Sequence, residues 1–200
     1  MEVLKTRFDF DTLRSRTQTR SIVIHHSASP DVSAADIHRW HLEKGWSGIG
    51  YHYVIRKDGT IEEGRPLEMQ GAHAGPKVNP DSIGICLSGN FMQYPPADKQ
   101  MASLLRLVFW LRNYYRSQLT LLRHKDLMPT KCPGDFFPWK EFLYMVDHSE
   151  PWKHELMENA LEVGILTEKH HPDDFAPKWF VVAVALKLLE KISGTDTNQE

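Results

Sequence analysis

The chain has 200 residues, 41% of them hydrophobic and 25% charged, which suits one domain with a buried core and a short additional segment. Its formal net charge of −2 argues against general electrostatic binding to nucleic acid or to an anionic membrane. With only two cysteines, Cys86 and Cys132, a disulfide framework of the small secreted type is excluded. A single Cys86–Cys132 bridge is an alternative, but a metal ligand or a buried thiol is the favoured use of each.

Predicted strands and helices alternate along the chain. The expected strands are residues 21–27, 51–56, 61–63, 82–90 and 119–122. A first helix is expected to begin at Ser33 and to include Ile37, Trp40 and His41, and two further helices are expected at 97–116 and 135–146. Ser33 is the expected N-cap of the first helix and Asp135 that of the last. The segment Lys57–Thr60 contains Asp-Gly, which indicates a two-residue hairpin turn. This interleaving predicts an α/β domain with a central, mixed, largely buried β-sheet flanked by helices.

We place this domain at residues 1–148 and a small C-terminal helical module at residues 149–200. Apolar residues in the second segment follow a helical period on either side of a His/Pro/Asp-rich turn. Two such helices cannot bury both faces alone, so we expect them to pack on the domain, on a second copy or on a ligand. Wall binding and homodimerisation are both open interpretations.

No targeting or membrane segment is evident. Residues 1–10 lack the apolar stretch of a Sec signal, so the chain is expected to be made in the cytoplasm and not exported by that route. No run of about 18 apolar residues indicates a membrane span, so no membrane insertion is expected.

Metal-binding chemistry is indicated by His124 and Cys132, which stand eight positions apart with Pro129 preventing a continuous helix between them. Imidazole and thiolate are ligands that zinc selects. A third ligand must come from elsewhere. The candidates are His25, His26, His52 and His73. The pair His25–His26 ends an apolar strand, where a buried imidazole needs a partner.

Other histidines are expected to be solvated and without a functional role. They are His38, His41, His148, His154, His170 and His171. Cys86 lies between Ile85 and Leu87 on a predicted strand and is expected to pack in the core.

Five segments together resemble a known family. In chain order they are Ile24–Ala28, Gly50–Tyr53 before Asp58–Gly59, Ala72–Gly75 with Asn79, Ser82–Ile85, and His124 with Cys132–Gly134. In this order they are similar to the zinc-dependent N-acetylmuramoyl-L-alanine amidases shared by phage endolysins and peptidoglycan recognition proteins. The resemblance covers about residues 20–146.

The resemblance implies that His25, His124 and Cys132 bind one Zn²⁺ per chain and leave a fourth position open, as in catalytic zinc sites. The implied reaction is hydrolysis of the amide between N-acetylmuramic acid and L-alanine in bacterial peptidoglycan. Tyr51 is expected to orient the water or relay a proton, and Thr130 to donate a hydrogen bond to the oxyanion.

Four further residues are predicted to bind substrate or to support the site. His26 and His52 are expected near the metal ligands, where they can fix ligand orientation, and His73 with Asn79 is expected to line the peptide groove. For each of them a structural hydrogen bond near the site is the alternative interpretation. Cys86 stands where some members of the family carry a catalytic glutamate, which leaves the general base open.

The leading hypothesis is a phage or prophage endolysin that reaches the wall after release by a holin or by lysis. A non-catalytic peptidoglycan-binding module is the first alternative, although such members typically lack the cysteine ligand. A Cys–His thiol peptidase with Cys132 as nucleophile is the second. Residues 152–166, the turn after them and the apolar helix at 178–192 together also faintly resemble a single S-layer-homology repeat, a kind of module that often binds the wall in phage lysins.

Overall fold

The computed structural model describes residues 2–148, 160–162, 164–166, 184 and 186. By its internal contacts the chain divides into two compact units, Met1–Asp147 and His148–Glu200. The predicted helices of residues 149–200 lie almost entirely outside the described residues, so the wall-binding and dimerisation hypotheses stay predictions. All that follows concerns the first unit.

The first unit is an α/β domain, as predicted. Its strands are β1 (Ser21–His26), β2 (Tyr53–Ile55), β3 (Ile61–Glu63), β4 (Ser82–Leu87) and β5 (Thr120–Arg123). Its helices are α1 (Ala34–Glu43), α2 (Asp98–Tyr115) and α3 (Trp139–His148). Short 3₁₀ turns at Asn79–Asp81 and His124–Asp126 precede β4 and follow β5.

The five strands form one mixed sheet in the order β3-β2-β4-β1-β5. The interior strand β1 is parallel to both β4 and β5, and β2 is parallel to the central strand β4. Only the β2–β3 hairpin is antiparallel. Every residue of β1 and β4 is buried, which fits parallel strands covered on both faces. The predicted mixed, buried sheet is confirmed.

The two faces of the sheet bury different partners because successive side chains of a strand point to opposite faces. Ile22 and Ile24 of β1 belong to the larger apolar cluster with α2 and α3. Val54 and Cys86 belong to a smaller cluster with Ile37 of α1. The α1 face is therefore the less apolar side of the sheet, and it is the face on which the chemistry of the chain is found.

Helix α1 begins directly after the predicted N-cap, Ser33, and two of its side chains form hydrogen bonds with the loop that follows the helix. Ser33 and Asp36 form a capping box. The ring Nδ1 atoms of His38 and His41 accept hydrogen bonds from the backbone N–H groups of Ile49 and Gly50, at 3.1 and 3.0 Å. Both histidines are buried, so their expected solvation is wrong. Their imidazoles satisfy loop donors that would otherwise be buried without partners.

Two local expectations are also wrong. The β2–β3 turn has three residues, because Arg56 N–H donates to the Thr60 carbonyl and Gly59 adopts a left-handed φ of 91°, the pattern of a turn with a bulge. Helix α3 begins at Trp139 rather than at Asp135. Pro138 disfavours helical geometry in the residue before it and so prevents an earlier start.

Among the described residues, no helix is both long and apolar enough to cross a membrane.

The pH dependence of stability gives a first prediction. Burial, followed by the nearby charge of Lys44, lowers the pKa of His41 from 6.5 to about 4. Unfolding between these values takes up a proton, so this contribution to stability is complete above about pH 6.5 and is lost as the pH falls towards 4. His41→Asn keeps an oxygen acceptor for the Gly50 N–H but cannot titrate.

We therefore expect the free energy of unfolding of the zinc-free protein, measured with urea, to fall from pH 7 to pH 4.5. The fall should be shallower in His41→Asn. Equal slopes in the two proteins would show that His41 does not carry this dependence.

Candidate metal centre

Three side chains converge at one edge of the sheet. His25 lies near the end of β1, and His124 follows β5 directly. Because β1 and β5 are parallel, their carboxyl ends meet at the same edge, and the two rings lie with centroids 4.6 Å apart. Cys132 comes from the loop after β5, where its carbonyl accepts from the Lys125 N–H at 2.8 Å. One ligand atom from each of the three residues lies within 4.8 Å of the others.

These donors fit a zinc ion in chemistry as well as in position. The Cys132 sulfur lies 3.8 Å from Nδ1 of His25, so the thiol and the imidazole face the same space. Burial, followed by the charge of His124, lowers the pKa of His25 well below 6.5, and burial also lowers that of His124. Both rings are therefore neutral at pH 7 and offer lone pairs. Two neutral imidazoles and one thiolate form a donor set that zinc takes with one position left open.

The loop around Cys132 is held by short polar contacts. The backbone N–H of His26 points at the Cys132 sulfur at 3.4 Å, and the Cys132 N–H donates to the Thr130 hydroxyl oxygen at 3.2 Å. Thr130 is exposed. Its hydroxyl proton is not used by the bond to Cys132, so it can be donated to a molecule above the site.

Tyr51 lies beside His25. Its ring centroid is 5.0 Å from that of His25, and its hydroxyl is near the Cys86 thiol. Burial, followed by the Cys86 and Cys132 sulfurs, raises the pKa of Tyr51 well above 10. The hydroxyl therefore stays protonated and acts as a hydrogen-bond donor.

Of the predicted substrate-binding residues, His26 and His52 have ring nitrogens occupied by backbone groups. Nδ1 of His26 accepts from the Phe91 N–H at 3.0 Å. His52 is fully buried, with Nδ1 accepting from the Gly84 N–H at 3.0 Å and Nε2 donating to the Met69 carbonyl at 2.9 Å. These contacts match the structural alternative, and direct contact with substrate stays a prediction.

His73 lies next to His25, and Asn79 holds the loop that carries His73. His73 is buried, and its Nδ1 lies 3.0 Å from Nε2 of His25. The side-chain carbonyl of Asn79 accepts from the backbone N–H groups of His73 and Ala74 at 3.0 and 2.8 Å. Asn79 thus anchors the loop that carries His73, and the predicted role of the pair in a peptide groove is untested.

Sequence reasoning missed two residues behind the ligands. The hydroxyl of Ser82 lies 3.4 Å from Nε2 of His73. Arg16 reaches in from the N-terminal segment and donates to the Ser82 carbonyl and to the Tyr115 hydroxyl, both at 2.9 Å. Ser82 begins one of the five segments that carry the family resemblance, but no role was assigned to it, and no local pattern marks Arg16. Both residues act through contacts between distant segments.

Residues 15–135 match the family model described as N-acetylmuramoyl-L-alanine amidase. The chain belongs to this family. The structure of the N-acetylmuramoyl-L-alanine amidase LysC from Clostridium intestinale covers 74% of this chain and 99% of its own, with 37% identity and a TM-score of 0.71.

Curated sequences agree with that match. The endolysin of Klebsiella phage KP32 is 36% identical over an alignment of 146 residues that covers 66% of this chain and 94% of that protein. Peptidoglycan recognition protein 1 of Mus musculus is 36% identical over 146 residues, covering 68% of this chain and 76% of that protein. The matches include both branches named by the sequence resemblance.

The metal centre gives a second prediction. Replacing the sulfur in Cys132→Ser removes one of the three converging donors, so zinc affinity should fall by more than the roughly 10–100-fold typical of residues that only support ligands. The measurement is competition with a chromophoric chelator, together with metal content per chain. Cys86→Ser is the matched control, and it should retain one zinc. Unchanged zinc affinity in Cys132→Ser would show that Cys132 is not a zinc ligand.

Proposed function

We propose that this amidase-family chain is a zinc-dependent hydrolase that cleaves the amide bond between N-acetylmuramic acid and L-alanine in bacterial peptidoglycan. The observation that carries the proposal is the convergence of His25, His124 and Cys132 within 4.8 Å in a chain of this family. Two imidazoles and a thiolate that leave a position open are typical of a catalytic zinc and not of a structural one.

In the proposed mechanism His25, His124 and Cys132 hold the ion. Bound zinc supplies a Lewis acid that polarises the scissile carbonyl and brings the pKa of water towards neutrality. Thr130 donates a hydrogen bond, through its free hydroxyl proton, to the carbonyl oxygen. That oxygen gains negative charge as the carbonyl carbon becomes tetrahedral. The position of the Thr130 hydroxyl is fixed, because its oxygen accepts a hydrogen bond from the Cys132 N–H.

Tyr51 supplies the second donor at the reaction centre. Its ring lies beside His25, and its protonated hydroxyl can donate a hydrogen bond to the attacking water or to the leaving nitrogen. Because this hydroxyl stays protonated, it can donate a hydrogen bond but cannot act as a general base. We assign it to orienting the water and assisting proton delivery.

The biological role that we propose is that of a phage or prophage endolysin. The support is the similarity to the endolysin of Klebsiella phage KP32, 94% of which is covered by the alignment. In this role the protein reaches the wall through a holin or through lysis, and peptidoglycan is its partner. The C-terminal segment takes no part in the proposed chemistry.

The two alternative functions are less well supported. A thiol peptidase needs a readily ionised cysteine, but burial raises the pKa of the Cys132 thiol to about 11 in the metal-free protein. A non-catalytic binding module has no use for a complete ligand set, yet all three ligands are present. The likeness to a recognition protein then reflects the shared fold and a shared ligand.

Mass analysis of digested peptidoglycan tests the function directly. We expect the zinc-loaded protein to release stem peptides that begin with L-alanine, because the cut leaves a free amine on that residue. A strong chelator should abolish release, and added zinc should restore it. Activity indifferent to chelator would favour the thiol peptidase, and wall binding without release would favour the recognition module.

A single hydroxyl provides the next prediction. Tyr51→Phe should lower turnover by about 10²-fold or more while one zinc stays bound. Tyr53→Phe is the matched control, since it is the same change in the apolar cluster on the other face of the sheet and should leave turnover unchanged. Near-wild-type turnover by Tyr51→Phe, measured on purified peptidoglycan, would rule out the proposed role of Tyr51.

A further inference from the structure

His73 occupies a slot that only glycines leave open. A Cβ placed on Gly71 would meet Cδ2 of the His73 ring at 2.4 Å, and one placed on Gly84 would meet the same atom at 2.5 Å. Real Cβ atoms essentially never come closer than 3.0 Å to such a neighbour. The two glycines therefore make room for the ring and confine it between the loop and strand β4.

The proton on His73 is fixed by its neighbour Ser82. The Ser82 hydroxyl donates to the Val78 carbonyl at 2.8 Å. A hydroxyl has one proton, so its oxygen is left as an acceptor for Nε2 of His73, at 3.4 Å. A neutral imidazole carries one N–H. With that proton on Nε2, Nδ1 of His73 holds a lone pair and must accept.

The tautomer of His25, one of the three proposed metal ligands, follows from that of His73. Nδ1 of His73 lies 3.0 Å from Nε2 of His25, and since the former accepts, the latter donates. His25 is fully buried, and with its one proton on Nε2 its other nitrogen, Nδ1, carries the lone pair. That nitrogen is the one 3.8 Å from the Cys132 sulfur.

We infer that His73 and Ser82 are positioning residues, which hold the proton of His25 on Nε2 and direct its Nδ1 lone pair to the metal. The inference rests on the zinc site of the proposed function but not on the substrate. A hydrogen bond to the far nitrogen of a ligating histidine fixes its tautomer and ring orientation and raises its basicity. Here a histidine serves as that acceptor, and Ser82 fixes its tautomer in turn.

Asn79 completes the arrangement. The side chain of Asn79 accepts hydrogen bonds from two successive backbone N–H groups, those of His73 and Ala74. These bonds hold the loop and so fix the position of the His73 ring beside Gly84. The residues assigned to a peptide groove by sequence are thus placed to support the metal ligand from behind.

Zinc affinity in the absence of peptidoglycan tests the inference. His73→Phe fills the slot but offers no acceptor, and we expect it to bind zinc about 10–100-fold more weakly than the wild type. His73→Asn restores an oxygen near the position of Nδ1 and should recover part of that loss. Ser82→Ala, which frees the tautomer of His73, should lie between His73→Phe and the wild type.

Two further measurements separate positioning from folding. His38→Phe replaces another buried histidine, which accepts a backbone N–H away from the metal ligands, and it should bind zinc as the wild type does. Long-range ¹H–¹⁵N correlation spectra of the zinc-loaded wild type should show the His25 proton on Nε2, protected from exchange with water. In His73→Phe that proton should exchange rapidly.

The outcomes are distinct. Wild-type zinc affinity in His73→Phe, or a His25 proton on Nδ1, would overturn the inference while leaving the amidase proposal intact. Absence of zinc binding by the wild type would overturn both. Loss of peptidoglycan cleavage with zinc affinity unchanged across the series would count against this inference alone. If His73→Phe is unfolded by circular dichroism, the comparison of His73→Asn and Ser82→Ala with the wild type decides.

Discussion

The parallel pairing of β1 with β5 is the constraint on which the centre depends. In this register Ile24 lies opposite Arg123, so the residues that follow them, His25 and His124, emerge side by side. An antiparallel β5 would deliver His124 at the other end of a six-residue strand, about 20 Å away. The pairing of β1 with β4 adds Cys86 opposite His25. A single choice of strand direction therefore brings distant parts of the sequence to one edge.

Because successive side chains of a strand point to opposite faces, the adjacent residues His25 and His26 of β1 have different surroundings. His25 turns its ring to the metal centre, whereas the ring of His26 lies against Phe91, with centroids 5.7 Å apart. The backbone of His26 still reaches the centre, because its N–H points at the Cys132 sulfur. One dipeptide thus provides a ligand from its first residue and a hydrogen bond to another ligand from its second. A sequence pattern that marks both histidines cannot show this division.

Much of the fold and of the ligand set could be predicted from the sequence, and the reasons are local. Apolar runs such as Ser21–His26 mark buried strands, and the Ser33–Asp36 box marks a helix start. The three candidate ligands were predicted from their chemistry and the family resemblance, and the structure brings them together. The role of His73 could not be predicted from the sequence. It depends on the slot left by Gly71 and Gly84 and on the Ser82 hydroxyl, which come together only in the folded domain. The α3 start was missed because the proline at 138 overrode a cap signal.

Cys86 shows how the chemistry depends on charge as well as on position. Burial, followed by the neighbouring Cys132 sulfur, raises the pKa of the Cys86 thiol well above 9, so this residue is neutral. A carboxylate in its place would add a second negative charge beside the Cys132 ligand, at a considerable desolvation cost. With a thiol there, only Cys132 offsets the charge of a bound cation. The surplus positive charge strengthens the attraction for a developing oxyanion, but no carboxylate is present at position 86 to take a proton. In the proposed mechanism, activation therefore comes from that charge and from the donors Tyr51 and Thr130, beside a neutral Cys86 thiol.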